Sequence, residues 1–322
     1  MKNNILKLIQ ITLLLCIICL FSGCNNKSQI NSNNDNDKKN NTQYTFTDDL
    51  GREITVSSAN RVAILNASYT EIWSLSGGAN QIVAVPENTW TDVSIQLSDD
   101  VINLGTHNEI SLEKLLSSNP DFVIASTDIG ENVDQLESYE KAGLNIAYFG
   151  VTSYEDYLRM LKICTDITGD KDKYEKYGTA IKEQVDNALS KIDGSSPKVL
   201  YLRATTGGVK AKNSKGSVLG QMLKDMGCVN ISDLEDSLLE DISMEVIIKQ
   251  NPDYIFVVYM GNDTAKIEEQ LELALFSNGA WETLSAVKNG NVHIMEKELF
   301  NMKPNARWGE AYEKLANILY GN

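Results

Sequence analysis

The chain has 322 residues, of which 29 are Lys or Arg and 44 are Asp or Glu, so its formal net charge is −15. A chain this acidic, without a stripe of basic residues, is a poor nucleic-acid binder, and we exclude that class of function. The length is enough for two lobes of ordinary domain size.

The first predicted element is a secretory signal peptide over residues 1–23. Lys2 and Lys7 precede an apolar run shorter than the roughly 20 residues that a membrane-spanning helix needs. The run ends in Phe21-Ser22-Gly23-Cys24, and small residues are typical of a cleavage site. This ending resembles the bacterial lipobox, although Leu is usual where Phe21 stands. It predicts that Cys24 becomes the lipidated N-terminus; the alternative is an ordinary signal peptide with an incidental cysteine.

Residues 24–43 are predicted to be the lipidated cysteine and a disordered tether. After Cys24, this segment contains a single aliphatic residue, Ile30, and many Asn residues. Such a composition cannot bury a hydrophobic core. We therefore expect the folded part to begin at Tyr44.

Residues 44–152 alternate between strand and helix patterns and predict the N-terminal lobe. An alternating stretch over 44–56, with a turn at Asp49-Leu50-Gly51, predicts a β-hairpin. The order of the remaining elements predicts a mostly parallel sheet. Strands are expected at 61–67, 81–87 and 144–150, with a helix at about 70–77.

One sequence motif occurs twice, once in each half of the chain. Residues 111–125 read SLEKLLSSNPDFVIA, and residues 243–257 read SMEVIIKQNPDYIFV. Each copy predicts a helix capped by Ser111 or Ser243, a turn at Asn-Pro and a buried strand. The two copies are too far apart for a solenoid repeat, so they indicate two similar α/β lobes. A cleft between two lobes is a preferred place for a small ligand.

Residues 153–192 have a helical pattern that is interrupted at Gly169-Asp170. Segment 171–192 would extend about 33 Å as an α-helix. It predicts a helical spine that joins the lobes, although a long surface helix would have the same pattern. A spine implies that the lobes close by only a small movement.

Residues 193–322 predict the C-terminal lobe. Strands are expected at 198–204 and 291–295, and helices at 218–227 and 308–320. The two halves together predict an α/β fold of two lobes with mostly parallel sheets, joined by one long helix.

From Tyr44 onwards, the chain resembles the substrate-binding proteins of bacterial ABC importers, in particular the helix-spined group that carries ferric siderophores, haem and corrinoids. The resemblance rests on the hairpin DDLGREITV, the repeat with NPDFVI, the spine and the ending AWETLSAVKNGNVHIMEKELFNMKPNARWGEAYEKLANILYG. It implies a class III periplasmic-binding-protein fold, a monomer, and an ABC permease with its ATPase as partners. In Gram-positive bacteria such proteins are lipid-anchored at the outer face of the cytoplasmic membrane, which agrees with Cys24.

The resemblance also implies a role for the repeated acidic residue. In such proteins one acidic side chain on each lobe docks onto Arg pockets of the permease, and Glu113 and Glu245 occupy those positions. The alternative is that each is only a first-turn Glu favoured by the helix dipole.

Ligand contacts are expected from loops at the carboxyl ends of the strands. Those loops contain Ser68, Tyr69, Trp90, Thr106, His107, Thr127 and Asp128 in the first lobe, and Arg203, Thr205, Met260 and residues 300–308 in the second. The predicted contacts selected from them are Tyr69, Trp90, His107 and Thr127 in the first lobe and Arg203, Met260, Asn301 and Arg307 in the second. An Arg directly after an apolar strand, as at position 203, suits carboxylate, catecholate or hydroxamate oxygens. Arg307 could do the same or could anchor a helix N-terminus. His107 with Met260 or Met302 could ligate haem iron, or His107 could be a polar loop residue.

Several other classes of site lack support in the sequence. The chain has two His residues, too few for the usual bare-metal importers. Cys164 and Cys228 lie outside any Cys-x-x-Cys pattern, so no metal or redox site is predicted, and their pairing stays open. No recognised nucleophile elbow, P-loop, dinucleotide or zinc-protease motif occurs. The resemblance therefore implies a non-enzymatic receptor without a cofactor that binds a ferric siderophore, with haem or a corrinoid as the alternative cargo. A surface enzyme or an adhesin is the rival class.

Overall fold

A computed structural model of the chain describes residues 43–321. The predicted signal peptide, Cys24 and all but the last residue of the tether lie outside the described residues. Between Gln43 and Gly321, no helix combines the length and the apolar character that crossing a membrane requires.

The N-terminal lobe contains a hairpin and a five-stranded sheet. The predicted hairpin is confirmed as an antiparallel pair of β1 and β2. The sheet has the order β5-β4-β3-β6-β7, and all of its pairs are parallel, as predicted. The strands are β1 (Tyr44–Thr47), β2 (Glu53–Val56), β3 (Val62–Ile64), β4 (Ile82–Val85), β5 (Ile102–Asn103), β6 (Phe122–Ser126) and β7 (Ile146–Phe149); the helices are α1 (Ala67–Trp73), α2 (Thr89–Asp92), α3 (Leu112–Ser117), α4 (Gly130–Asp134) and α5 (Leu136–Lys141).

The spine consists of two helical segments. The first is α6 (Tyr154–Thr168), which Ser153 and Asp156 start with a capping box. It ends at Gly169, whose φ of 79° is a left-handed conformation that favours glycine. The second segment runs through α7 (Lys171–Tyr174), a π-helical turn and α8 (Ala180–Leu189). It therefore ends three residues before the predicted position 192.

The C-terminal lobe has a second five-stranded sheet of order β10-β8-β11-β12, with β9 paired to β8. All pairs are parallel except β8 with β9, an antiparallel hairpin that the sequence did not predict. Its strands are β8 (Lys198–Thr205), β9 (Gly208–Lys212), β10 (Val229–Asn230), β11 (Tyr254–Met260) and β12 (Val292–Met295); its helices are α9 (Val218–Asp225), α10 (Ser237–Glu240), α11 (Met244–Gln250), α12 (Thr264–Leu271), α13 (Ser285–Lys288), α14 (Lys297–Phe300) and α15 (Trp308–Tyr320).

The repeated sequence motif forms the same local structure in both lobes. The Ser111 and Ser243 hydroxyls each accept a hydrogen bond from the backbone N–H three residues later, so both cap a helix as predicted. Asn119 and Asn251 then take left-handed conformations, with φ of 46° and 45°. Asn tolerates this conformation better than other residues with a side chain, which explains why it precedes Pro in both turns.

The largest hydrophobic cluster of the described residues extends from one lobe to the other through the spine. It includes Phe122 of the first sheet, Tyr201 of the second and Val185 of α8. Trp308, at the start of α15, packs against the rings of Tyr154 and Tyr157 in α6, with centroid distances of 5.9 and 6.3 Å. Because separating the lobes would expose this shared core, large movements between them are disfavoured.

The two cysteines of the described part are unpaired. Cys164 is buried in α6, and Cys228 is partly buried just before β10. Burial raises the pKa of both thiols, and that of Cys228 reaches about 12. Both are therefore protonated at neutral pH and unreactive as nucleophiles.

Candidate ligand-binding cleft

A cavity of about 390 Å³ lies between the lobes and is lined by residues of both. Its volume is within the range of small-molecule sites. Most of its lining follows the carboxyl ends of strands, where parallel α/β sheets bind ligands. The lining residues are Asn66, Ala67, Ser68, Asn88, Asp92, His107, Asp128 and Ile129 from the N-terminal lobe, and Arg203, Gly216, Ser217, Val218, Met260, Gly261, Lys297, Asn301, Met302 and Lys303 from the C-terminal lobe.

Local hydrogen bonds hold the polar side chains of the N-terminal wall. Asn66 Oδ1 accepts from the backbone N–H of Ser68 at 2.9 Å and caps α1. Asn88 Nδ2 donates to Asp92 Oδ2 at 2.9 Å along α2. His107, in the loop after β5, adds an imidazole to this wall.

The C-terminal wall contains buried polar atoms without protein partners. Arg203 Nε and Asn301 Oδ1 are buried, and neither has a hydrogen-bond partner among residues 43–321. An unsatisfied buried group costs roughly 1–3 kcal/mol. Since Arg203 and Asn301 both line the cavity, a bound molecule with an acceptor and a donor could satisfy them.

Two polar contacts join the lobes beside the cavity. Lys303 Nζ donates to Asp128 Oδ2 at 2.9 Å. Asn305 Nδ2 donates to the backbone oxygen of Ser68 at 3.0 Å and to Glu71 Oε2 at 2.7 Å. Burial raises the pKa of Glu71, and the hydrogen bond from Asn305 opposes that shift. These contacts fix the segment after α14 against α1 and against the loop after β6.

The cavity brings together four of the eight predicted ligand contacts. His107, Arg203, Met260 and Asn301 all line it. The histidine lies on one lobe and the other three on the opposite lobe, so a molecule in the cleft would touch both halves of the protein. Met302, the other predicted partner of His107, also lines the cavity.

Tyr69 and Thr127 do not line the cavity, although each is adjacent in sequence to a residue that does. Tyr69 is fully buried and donates its hydroxyl to the backbone oxygen of Phe149 at 2.9 Å. Thr127 Oγ1 donates to the same oxygen at 3.4 Å. In this structure neither side chain lines the cavity, because both join the ends of strands within the N-terminal lobe.

Trp90 and Arg307 also lie outside the cavity lining. Trp90 is 46% exposed on α2, between the lining residues Asn88 and Asp92. Arg307 makes two hydrogen bonds to Glu310, of 2.6 Å from Nε and 2.7 Å from the guanidinium NH2 group. Glu310 is in the first turn of α15, so Arg307 contacts a helix N-terminus in this structure. This is one of the two roles expected for Arg307; the other was contact with a ligand.

Several polar lining residues were missed in the sequence, among them Asp92, Ser217 and Lys297. Asp92 ends α2, Ser217 precedes α9, and Lys297 begins α14 just after β12. Lys297 could have been found, because it follows a strand end by two residues. Asp92 and Ser217 carry no such signal, since they lie at the end of α2 and just before α9 rather than directly after a strand.

The two repeated glutamates lie at the surface. Glu113 and Glu245 are exposed in the first turns of α3 and α11. In each helix a large aliphatic side chain three residues later is also exposed: Leu116 is 42% exposed and Ile248 is 39% exposed. Residues three apart share a helix face, so each lobe presents a carboxylate next to an apolar side chain.

Two β/α lobes on a helical spine, with a polar cleft between them, define a bilobal binding protein. A family model for the periplasmic binding protein matches residues 62–299, and the chain belongs to this family. The family resemblance and the fold predicted from the sequence are thereby confirmed. Proteins of this family bind small ligands for membrane transporters and are not enzymes.

Relatives cover nearly all of the chain at low identity. FhuD of Bacillus subtilis (strain 168), an iron(3+)-hydroxamate-binding protein, is 25% identical over 299 residues, which are 88% of each chain. YfmC of the same organism, a Fe(3+)-citrate-binding protein, is 20% identical over 301 residues, which are 92% of this chain and 91% of its own. The crystal structure of S. aureus IsdE complexed with heme has a TM-score of 0.64 at 19% identity and covers 82% of this chain and 100% of that chain.

Proposed function

We propose that the protein is the extracytoplasmic substrate-binding lipoprotein of an ABC importer, and that it captures a ferric siderophore in the inter-lobe cleft. The observation that carries this proposal is the cleft itself, with unsatisfied polar atoms of Arg203 and Asn301 in a family of transport receptors. Oxygen-rich iron chelates offer the acceptors that a guanidinium requires. The names of FhuD and YfmC, both iron-chelate binders, support the same class of cargo.

The size of the cavity supports a compact cargo. At about 390 Å³ it is near the lower end of the usual range for small-molecule sites. A ferric chelate suits this volume better than the much larger corrinoids. The shared core and the spine favour a small closing movement on binding, so the cavity of the ligand-bound protein would be of similar size.

Delivery would use the two repeated glutamates. Glu113 and Glu245 are exposed on equivalent helices of the two lobes, where an Arg pocket of a permease could receive each carboxylate. The adjacent Leu116 and Ile248 would add apolar contact at each site. A helix-dipole role would explain an acidic first turn but not an exposed apolar neighbour in both copies.

Haem is the second candidate cargo. His107 lies on one wall of the cleft, and Met260 and Met302 lie on the opposite wall. Histidine and methionine are established axial ligands of haem iron, so a haem between the walls would meet suitable groups on both sides. The structure of IsdE complexed with heme shares the fold.

Fluorescence titration tests the proposed cargo. The exposed Trp90 lies in α2, two positions from each of the lining residues Asn88 and Asp92, and should report occupancy of the cleft. The full chain would be titrated with ferric siderophores, haem and a corrinoid, with free Fe³⁺ and Zn²⁺ as controls. Saturable quenching by ferric siderophores is expected; saturation only with haem would favour the second candidate. Flat curves with every chelate would contradict the receptor function.

Anchoring has its own test. Cys24→Ala should abolish incorporation of labelled fatty acid and release the protein from the membrane, while Cys164→Ala should leave both unchanged. If the Cys24→Ala protein stays lipid-labelled, the proposed anchor is wrong.

A further inference from the structure

A second cavity adjoins the cleft at the hairpin of β8 and β9. It has a volume of about 250 Å³, and its lining includes Arg203, Lys210 and Lys212. Arg203 lines this cavity and the inter-lobe cleft, so the two spaces meet at its side chain. We call Arg203, Lys210 and Lys212 the basic cluster.

The strand register brings the basic cluster to one face of the hairpin. Arg203 lies opposite Lys210 in the antiparallel pair, and Tyr201 lies opposite Lys212. Val209 and Ala211, which alternate with the lysines, pack into the core on the other face. Side chains that face each other across strands are close, and like charges in that position destabilise a sheet. The hairpin thus carries an unfavourable charge pair in the ligand-free protein.

No carboxylate of the described chain offsets this charge. The lining of the second cavity contains no Asp or Glu. None of the salt bridges within residues 43–321 involves a member of the basic cluster. The pKa of Lys212 is lowered, first by burial and then by the positive charges of Arg203 and Lys210. In a chain with 44 acidic residues, three neighbouring cations without a partner point to a negatively charged ligand.

We propose that the basic cluster is an anion subsite of the cleft and that the cargo is a negatively charged ferric chelate, with carboxylate or catecholate oxygens, rather than a neutral ferric hydroxamate. This inference rests on the proposed function and names the charge class of its substrate. Arg203, whose Nε has no partner among the described residues, donates to a chelate oxygen at the junction of the two cavities. Lys210 and Lys212 supply further positive charge, and the bound anion removes the repulsion between them.

Binding to charge-matched variants tests the proposal. The full-length Lys210→Gln/Lys212→Gln double variant would be titrated with ferric citrate, a ferric tris-catecholate, a neutral ferric tris-hydroxamate and metal-free citrate. The control is Lys224→Gln/Lys288→Gln, which removes the same charge from exposed positions outside both cavities. Thermal unfolding of each ligand-free protein would be measured in parallel.

The expected result has two parts. The Kd of at least one anionic ferric chelate rises by tenfold or more in the cluster variant and is unchanged in the control, because charge-assisted hydrogen bonds are lost. The ligand-free cluster variant unfolds at a higher temperature than the control, because the repulsive pair is gone.

Other outcomes would overturn the proposal. Tight binding of the neutral hydroxamate alone would refute the anionic cargo and leave the receptor function intact. Saturation by metal-free citrate at the same Kd as ferric citrate would mean that the cluster binds free anions and does not define an iron cargo. If no chelate of any charge binds the wild-type chain, this inference and the proposed function fail together.

Discussion

Lys303 of the C-terminal lobe and Asp128 of the N-terminal lobe form an ion pair across the ligand cleft, with 2.9 Å between Nζ and Oδ2. The two side chains are 13% and 32% exposed, so solvent screens the pair in part. Because both residues line the cavity, the pair holds the lobes together and also sets the charge that a ligand meets.

Asp128→Asn should therefore lower the stability of the protein and raise its affinity for the ligand. Loss of the ion pair should lower the free energy of unfolding by less than about 1 kcal/mol. The affinity for an anionic chelate should rise by up to about fivefold, because a carboxylate leaves the cleft and Lys303 becomes available. Urea denaturation and chelate titration measure the two effects. Asp186→Asn, which breaks an exposed pair on the spine, is the control; weaker chelate binding in Asp128→Asn would contradict the account.

Asn305 should contribute more to stability than any exposed ion pair. It is fully buried, has a φ of 53° and donates to both Ser68 and Glu71 of the other lobe. Asn305→Ala should cost roughly 2–4 kcal/mol in urea denaturation, because it loses two hydrogen bonds and places Ala in a left-handed conformation. Asn305→Gly tolerates this conformation and should recover part of the loss. Equal stability of wild type and Asn305→Ala would refute the contact between the lobes.

Glu71 should make stability fall as the pH rises. Burial raises its pKa in the folded protein above the ordinary value of about 4.3 in the unfolded chain. The folded state thus keeps the proton to a higher pH, and stability is lost as the pH rises through the folded pKa. Glu71→Gln should gain stability relative to wild type over that range, measured as unfolding free energy between pH 4 and pH 8.

Glu310→Gln provides a control of opposite sign. The hydrogen bonds from Arg307 lower the pKa of Glu310, so its contribution is present above the ordinary pKa and is lost at lower pH. Glu310→Gln should therefore be less stable than wild type at high pH, and the difference should shrink as the pH falls. A Glu71→Gln difference that does not change with pH would contradict the assigned shift.

Docking by the repeated glutamates predicts a loss of uptake without a loss of affinity. Glu113→Lys/Glu245→Lys should abolish uptake of ⁵⁵Fe-labelled chelate in cells that lack the wild-type protein, because each Arg pocket would meet a lysine. The Kd for the chelate should stay within twofold, since neither residue lines the cleft. Glu175→Lys/Glu269→Lys makes the same charge change at other exposed positions and should transport normally. Reduced affinity for the chelate in the Glu113→Lys/Glu245→Lys variant would contradict the docking role.

The fold could be predicted wherever local signals agree with tertiary structure. Ser caps, the Asn-Pro turns and the apolar strands after them specify the same unit at 111–125 and 243–257. The hairpin β8–β9 escaped prediction because β9 (GVKAK) has only one buried side chain, Ala211, and therefore a weak strand pattern.

The sequence predicts loops that line the cleft, but not which of two neighbouring side chains in such a loop does so. Ser68 lines the cleft and Tyr69 is buried; Asp128 lines it and Thr127 bonds within its lobe. A strand end is readable from hydrophobicity, but successive side chains beyond it point in different directions. The direction depends on backbone geometry set by distant contacts, such as the hydrogen bond from Tyr69 to Phe149.

A transport receptor holds its iron chelate and returns it unchanged. The most direct measurement is an isothermal titration of the full chain with one chelator in its ferric and its metal-free form, followed by mass spectrometry of the released ligand. We expect one-to-one saturation by the ferric form, at least tenfold weaker binding of the metal-free form, and recovery of the intact chelate. The absence of saturation, or recovery of a chemically altered ligand, would contradict the receptor function.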